Sequence, residues 1–237
     1  MGDYSTIVQA VESLDNCTLV SIIGEVKCDF FYPLYRLIAG NDDGNPKSNV
    51  LISGGIHGTE PAGVHAVLEF LEKHAQKYTN DFRFFAYPCI NPWGFVNNNY
   101  FNYREQEINN LFYRKSKTKE GRIVQGCLLD DGVDYLFTMD FHEDRSTYLL
   151  ESCSDSENLF ADYIIQAFKE NGIQYQECQD DYISGMSFDD YLYKYYTDHA
   201  FTIESNLERD LKSRVKTHII ALETALKNYR KRLKKSM

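Results

Sequence analysis

The segment Val50-Leu51-Ile52-Ser53-Gly54-Gly55, running through Ile56 into His57-Gly58-Thr59-Glu60, limits the possible folds of this chain more than any other. A short, almost wholly apolar run reads as a strand buried on both faces, and such strands belong in sheets covered by helices. The paired glycines let the backbone turn sharply, so that His57 and Glu60 can converge on one point. Pro61 then suits the first turn of a following helix, where a missing N–H costs nothing. An imidazole nitrogen and a carboxylate oxygen are two of the three protein ligands taken by a catalytic zinc, whose fourth position is left to water. His-x-x-Glu alone is a weak signal, and its weight depends on what the rest of the chain supplies.

Two further apolar runs end in groups of the right chemistry. Tyr135-Leu-Phe-Thr-Met-Asp-Phe-His142 reads as a buried strand with Asp140 and His142 at its end, where ligand groups of α/β sheets collect. Period two puts both on one side, so Asp140 is placed to orient His142. His199-Ala-Phe-Thr-Ile-Glu204 is a third such strand, ending in a carboxylate. A metal-bound water needs a group to take its proton and pass it to the leaving nitrogen, and Glu204 can do both.

These segments carry a family resemblance. The chain resembles the zinc carboxypeptidases of the M14 (carboxypeptidase A-like) family, including its small bacterial-type and murein peptide amidase-like members. His57-x-x-Glu60 is similar to the family's first zinc motif, Asp140-Phe-His142 to the segment with the second zinc histidine, and Thr202-Ile-Glu204 to the Thr-x-Glu with the catalytic glutamate. Asn91-Pro-Trp-Gly-Phe95 resembles the family's Asn-Pro-Asp-Gly turn. Tyr182-Ile-Ser-Gly-Met-Ser-Phe-Asp189 resembles the segment with the mobile substrate tyrosine and, at Phe188, the pocket floor. The matches keep the family's order between about positions 50 and 205.

The resemblance implies one zinc ion on His57, Glu60 and His142, with Glu204 as general base and Arg104 polarising the scissile carbonyl. Asn109, Asn110, Tyr182, Phe188 and Arg145 are the expected substrate contacts. One departure bears on specificity. Where the family reads Asp-Leu-Asn-Arg-x-Phe, this chain reads Glu107-Ile-Asn109-Asn110-Leu-Phe112, so an amide replaces the arginine that grips a terminal carboxylate. A guanidinium offers a charged, bidentate grip and an amide does not. Arg114 or Arg145 are candidate substitute anchors. An apolar Phe188 argues against a preference for basic side chains.

The remaining candidates have plainer readings. His65, His74 and His218 are expected at the surface or in caps, His199 as structural, and Glu143 and Asp144 as solvated loop charges. The six cysteines show no Cys-x-x-Cys spacing, against a zinc ribbon or a thioredoxin-like site. No apolar run approaches the 18 or so residues of a membrane span, and no secretory signal is visible at Met1, so a reducing cytoplasm is the expected compartment. Net charge is −10, while Lys227 to Lys235 is strongly basic and leaves the rest at about −16. That basic run suits the C-terminal end of a helix. The acidic body repels polyanions and argues against nucleic acid as a partner.

The pattern predicts a single α/β domain over 1–237, with a mixed, mostly parallel central sheet flanked by helices. Cys17 to Val26 and Phe31 to Ala39 are expected as an antiparallel edge pair, followed by strands at Val50, Phe82, Leu136, Thr147, Ile173 (to Glu177) and Ala200. Helices are expected over Pro61 to Tyr78, Asn158 to Glu170, Ser187 to Tyr195 and Leu207 to Lys235. Asn91 to Gln125 reads as a long irregular stretch forming a substrate rim. Three functions fit: a zinc peptidase on peptide-type amides, including peptidoglycan-derived or side-chain-linked peptides; a deacylase of N-acyl amino acids resembling the aspartoacylase and succinylglutamate desuccinylase branch, which shares His-Gly-x-Glu and Asp-x-His; and a binding module that keeps the fold alone.

Overall fold

The computed structural model describes residues 3–15, 17–40, 48–153, 159–176 and 187–233. Seven strands form one sheet: β1 (Cys17–Lys27), β2 (Phe31–Ala39), β3 (Ser48–Gly54), β4 (Phe82–Tyr87), β5 (Phe137–Asp144), β6 (Tyr148–Cys153) and β7 (His199–Asn206). Their order is β1-β2-β4-β3-β5-β7-β6. The four central strands, β4, β3, β5 and β7, run parallel, while β1, β2 and β6 are joined antiparallel at the margins. This is the expected mixed α/β sheet, including the antiparallel β1–β2 pair.

Around it lie α1 (Tyr4–Glu12), α2 (Pro61–Glu69), α3 (Pro92–Asn97), α4 (Lys119–Asp131), α5 (Leu159–Glu170), α6 (Phe188–Tyr195) and α7 (Leu211–Leu233). Strand periodicity divides the apolar residues between two layers. Val50 and Ile52 of β3, with Phe84, Met139 and Phe201, pack into a cluster shared with α1, α2, α5 and α7. Leu51 points the other way, with Phe85 and Tyr87, into a cluster closed by α4 and α6 through Val124, Leu128, Phe188 and Leu192. Both layers are needed because every central strand is apolar on both faces.

Several boundaries differ from expectation. The helix from Pro61 is regular only to Glu69, widens to a π-turn over Phe70–His74, and ends in a 3-10 turn at Lys77. The stretch read as irregular contains α3 and the first part of α4, which Thr118 caps by accepting the Gly121 N–H at 3.1 Å. α1, capped by Asp3, had no reading. Around Ile173 the described residues form an isolated bridge, Tyr175 to Thr147, instead of a strand. α7 starts at Leu211 because Asn206 and Asp210 accept the N–H groups of Glu208 and Ser213 and hold 207–210 in a turn. Among the described residues no helix is long and apolar enough to cross a membrane.

Candidate metal centre and active site

The site lies where β3, β5 and β7 end, the C-terminal edge at which open α/β sheets collect ligands. Gly55, at φ +63°, turns the chain out of β3 in a conformation that side chains rarely adopt. Gly58 then passes so close to α3 that an added Cβ would stand 1.9 Å from the Gly94 carbonyl carbon. This approach carries His57 back over the sheet, and the Glu60 N–H donates to the His57 carbonyl at 3.2 Å.

His57, Glu60 and His142 are all buried, and one ligand atom from each lies within 4.8 Å of the others. Glu60 bridges the two rings, Oε1 lying 2.8 Å from His57 Nδ1 and Oε2 3.0 Å from His142 Nδ1. The far nitrogens are occupied as well. His57 Nε2 meets Glu107 Oε1 at 2.8 Å and His142 Nε2 meets Asp140 Oδ2 at 2.9 Å. Asp140 is itself held by the Ser53 hydroxyl of β3 at 2.7 Å. Two rings with Nε2 tied to outer carboxylates and Nδ1 turned to a shared carboxylate make a donor set that fits a divalent metal of the zinc type.

The electrostatics agree with that fit. Burial alone lowers the proton affinity of His57, but Glu107 and Glu60 outweigh it and raise its pKa. His142 follows the same balance, with Asp140 and Glu60 raising it well above the ordinary imidazole value. Burial works against ionisation of Glu60, yet His142 and His57 hold it down to about 2. The pocket therefore holds positive charge on its two rings among the carboxylates of Glu60, Glu107 and Asp140, a task a bound dication would perform in exchange for those protons.

Glu204 stands beside this cluster because β5 and β7 register His142 against Glu204. Its Oε2 is buried with no hydrogen-bond partner among the described residues, and burial pushes its carboxyl up to about 8. A half-buried carboxyl with one enclosed, unpartnered oxygen beside a candidate ligand cluster is available for proton transfer.

The other expected residues divide. Asn109 and Asn110 reach the site through their backbone, donating their N–H groups to the Glu107 carboxylate at 2.9 and 2.7 Å. The Asn109 side chain accepts the Phe188 N–H at 2.9 Å, tying the α6 entry to the loop. Arg104 is exposed, its guanidinium 5.2 Å over the Tyr103 ring, and no hydrogen bond or ion pair joins it to the cluster. The turn at 102–106 explains this: Asn102 Oδ1 accepts the N–H groups of Arg104 and Gln106, and Glu105 takes φ +56°. Arg145 is exposed, and among the described residues its backbone N–H donates to Asp144 Oδ1. Tyr182 falls outside the described residues.

Three expectations are corrected. Phe188 is fully buried against Phe112, ring centroids 4.5 Å apart, and is a core residue instead of a pocket floor. Glu143 is no solvated charge, since it is buried, accepts the Ala62 N–H at 2.7 Å and pairs with Arg214. His218 is fully buried beneath the site, its ring centroid 4.7 Å from that of Phe141, with neither ring nitrogen hydrogen-bonded among the described residues.

Three residues at the site had no functional reading from sequence. Tyr100 stacks on His57 with ring centroids 3.9 Å apart, and burial followed by Glu107 and Glu60 raises its phenol pKa, keeping it neutral. Glu107 holds His57. Asp189 lies near Asp140 and His142, and burial raises its carboxyl. One tyrosine among eighteen carries no signal of its own, but Glu107 could have been found by pairing each ligand histidine with an outer carboxylate.

Comparison with known proteins places this geometry. Residues 46–213 match the family described as succinylglutamate desuccinylase/aspartoacylase catalytic domain. No curated protein matches the chain by sequence. Among solved structures, a candidate metallopeptidase from Shewanella amazonensis SB2B superposes with a TM-score of 0.76 at 22% identity, covering 94% of this chain and 90% of that one. A metallo-carboxypeptidase from Burkholderia cenocepacia superposes with a TM-score of 0.73 at 18% identity, covering 94% of this chain and 68% of that one. The fold is thus the zinc carboxypeptidase-like one that the motifs implied.

Proposed function

Because this chain belongs to the succinylglutamate desuccinylase/aspartoacylase catalytic-domain family, we propose that it is a metal-dependent hydrolase of amide bonds, with His57, Glu60 and His142 as ligands of one zinc ion. The observation that carries this reading is the register pairing of His142 with Glu204, which sets beside the ligand cluster a half-buried carboxyl whose Oε2 is enclosed with no hydrogen-bond partner among the described residues. Bound there, zinc supplies a Lewis acid for the scissile carbonyl and a water of lowered pKa.

The chain's own groups do the rest. Glu204 takes the proton of the attacking water and delivers it to the leaving nitrogen. Glu107 and Asp140 occupy the Nε2 atoms, so that Nδ1 of each ring faces Glu60. Tyr100, a neutral phenol against His57, is the donor we assign to the developing oxyanion in place of the outward-turned Arg104. Asn110 and Asn109 offer neutral contacts on the leaving-group side. Peptide-type substrates, including side-chain-linked ones, are the first reading, supported by the peptidase names of the structural neighbours. Deacylation of N-acyl amino acids is the second, favoured by the family match.

The test is zinc content and hydrolysis on one purified sample, against C-terminal peptides, γ-linked muropeptides and N-acyl amino acids. One zinc per chain with chelator-sensitive cleavage of a single class supports the reading and selects the substrate. Turnover indifferent to chelation would remove the metal from the mechanism. Tyr100→Phe is expected to lower kcat by roughly 10²-fold with little change in KM; an unchanged kcat would take the oxyanion role from Tyr100.

A further inference from the structure

We propose that the cavity beside the first turns of α7 binds a small multivalent oxyanion of the phosphate or sulfate type, at a site separate from the metal centre. The cavity encloses about 180 Å3 between Thr147, the Gly172 turn after α5, and Arg209, Ser213, Arg214 and Lys216. Three of these residues are cations, and none of the described lining residues is a carboxylate.

Two of the three cations have no ion-pair partner among the described residues. Neither Arg209 nor Lys216 forms an ion pair among the described residues. Arg214 is largely buried and spends Nη1 on Glu143, but its Nε is enclosed with no hydrogen-bond partner. Arg214 is thus already matched by Glu143, and Arg209 and Lys216 are the cations whose charge an incoming anion would match.

Their position on the helix reinforces the point. The first turn of α7 contains no acidic residue, while Lys212, Arg214 and Lys216 crowd the end where free backbone N–H groups already create positive potential. Cations there repel both the helix dipole and one another, and an anion relieves both. Asp210 caps this end, engaged by the Ser213 N–H and hydroxyl at 3.0 and 2.6 Å, and Glu143 pairs with Arg214, which leaves Arg209 and Lys216 without an ion pair among the described residues. A concentration of positive charge within a chain of net charge −10 selects an anion against the field of the whole molecule.

The cavity is not an arm of the metal pocket. Along β5, His142 and Glu143 point to opposite faces. Glu143 takes Arg214 on the α2–α7 side, its second oxygen accepting the Ala62 N–H at the start of α2. An occupant against Arg214 therefore lies behind the sheet edge, on the far side of β5 from His142.

The experiment is equilibrium dialysis of the purified protein with inorganic phosphate, at constant ionic strength set with sodium chloride. The expected result is one saturable phosphate per chain, with affinity reduced at least 10-fold in an Arg209→Ala/Lys216→Ala double variant of unchanged melting temperature. If that variant melts lower, Lys216→Gln alone, at an exposed position, is read instead and is expected to weaken binding measurably. Phosphate held on a bound metal would survive these substitutions, so unchanged binding in the variants overturns the proposal. Absence of saturable binding in the parent protein overturns it equally. Neither result depends on the amide-hydrolysis reading.

Discussion

His142 of β5 and Glu204 of β7 are register partners on adjacent parallel strands, so the backbone hydrogen bonds of the sheet itself set a candidate metal ligand beside the proposed base. Neither loop length nor side-chain rotamer decides their proximity. Glu204→Gln keeps the shape and removes the base. It is expected to lower turnover by about 10²- to 10⁴-fold while zinc content stays at that of the parent. Metal analysis alongside single-turnover kinetics checks this, and full activity in the variant would exclude Glu204 from proton transfer.

Metal binding should release protons. His57 and His142 have pKa values raised by the surrounding carboxylates, and a metal on Nδ1 must displace the protons that those values represent. Zinc affinity is therefore expected to rise with pH through the neutral range. Calorimetry in buffers of different ionisation enthalpy measures the proton count, and an affinity flat from pH 6 to 8 would contradict the assignment.

Glu107 holds His57 from behind and accepts two backbone N–H groups of the following turn. Glu107→Ala frees the ring to rotate and is expected to weaken zinc binding about 10- to 100-fold. Competition with a chelator of known affinity gives the ratio. A value near one would mean that the Nε2 contact does not orient the ligand.

His218 makes the protein sensitive to acid. Burial depresses its pKa to about 3, below the ordinary value of 6.5. The unfolded chain thus takes up a proton that the folded chain refuses. The stability due to the neutral ring is fully present above pH 6.5 and is lost as pH falls toward 3, by about 1.4 kcal/mol per unit. In His218→Leu that component disappears, so the stability difference between parent and variant should change with pH below 6.5 and stay constant above it. Urea titrations at pH 5 and 7.5 suffice, and a pH-independent difference would refute the account.

Gly58→Ala tests the close approach beneath the first ligand. The added methyl would meet the Gly94 backbone at 1.9 Å, and no flexible side chain stands there to yield. The variant is expected to lose zinc binding and several degrees of melting temperature. Normal zinc content and stability would show that the turn can relax without moving His57.

Much of this site was legible in the linear chain because its chemistry is carried by residues at strand ends. His57, Glu60, His142 and Glu204 follow apolar runs whose burial forces them into the sheet, and Asp140 precedes His142 by the two residues that place both on one face. Less was legible between Asn91 and Gln125. There the outcome depends on caps and turns: Asn102 fastens the 102–106 turn, Thr118 starts α4, and Arg104 is sent outward while Tyr100 comes to His57.

The sequence by itself determined the α/β class and the placement of His57, Glu60, His142 and Glu204 at neighbouring strand ends, since hydrophobic periodicity and local turn chemistry suffice for these. Only the tertiary structure decided which side chains face the ligands and which are spent on packing. Phe188 became core, His218 and Glu143 were buried, and the Arg214 cavity formed where α5, β7 and α7 meet. Those outcomes depend on contacts between segments far apart in the chain, and no local pattern encodes the side of a sheet on which a distant helix will settle.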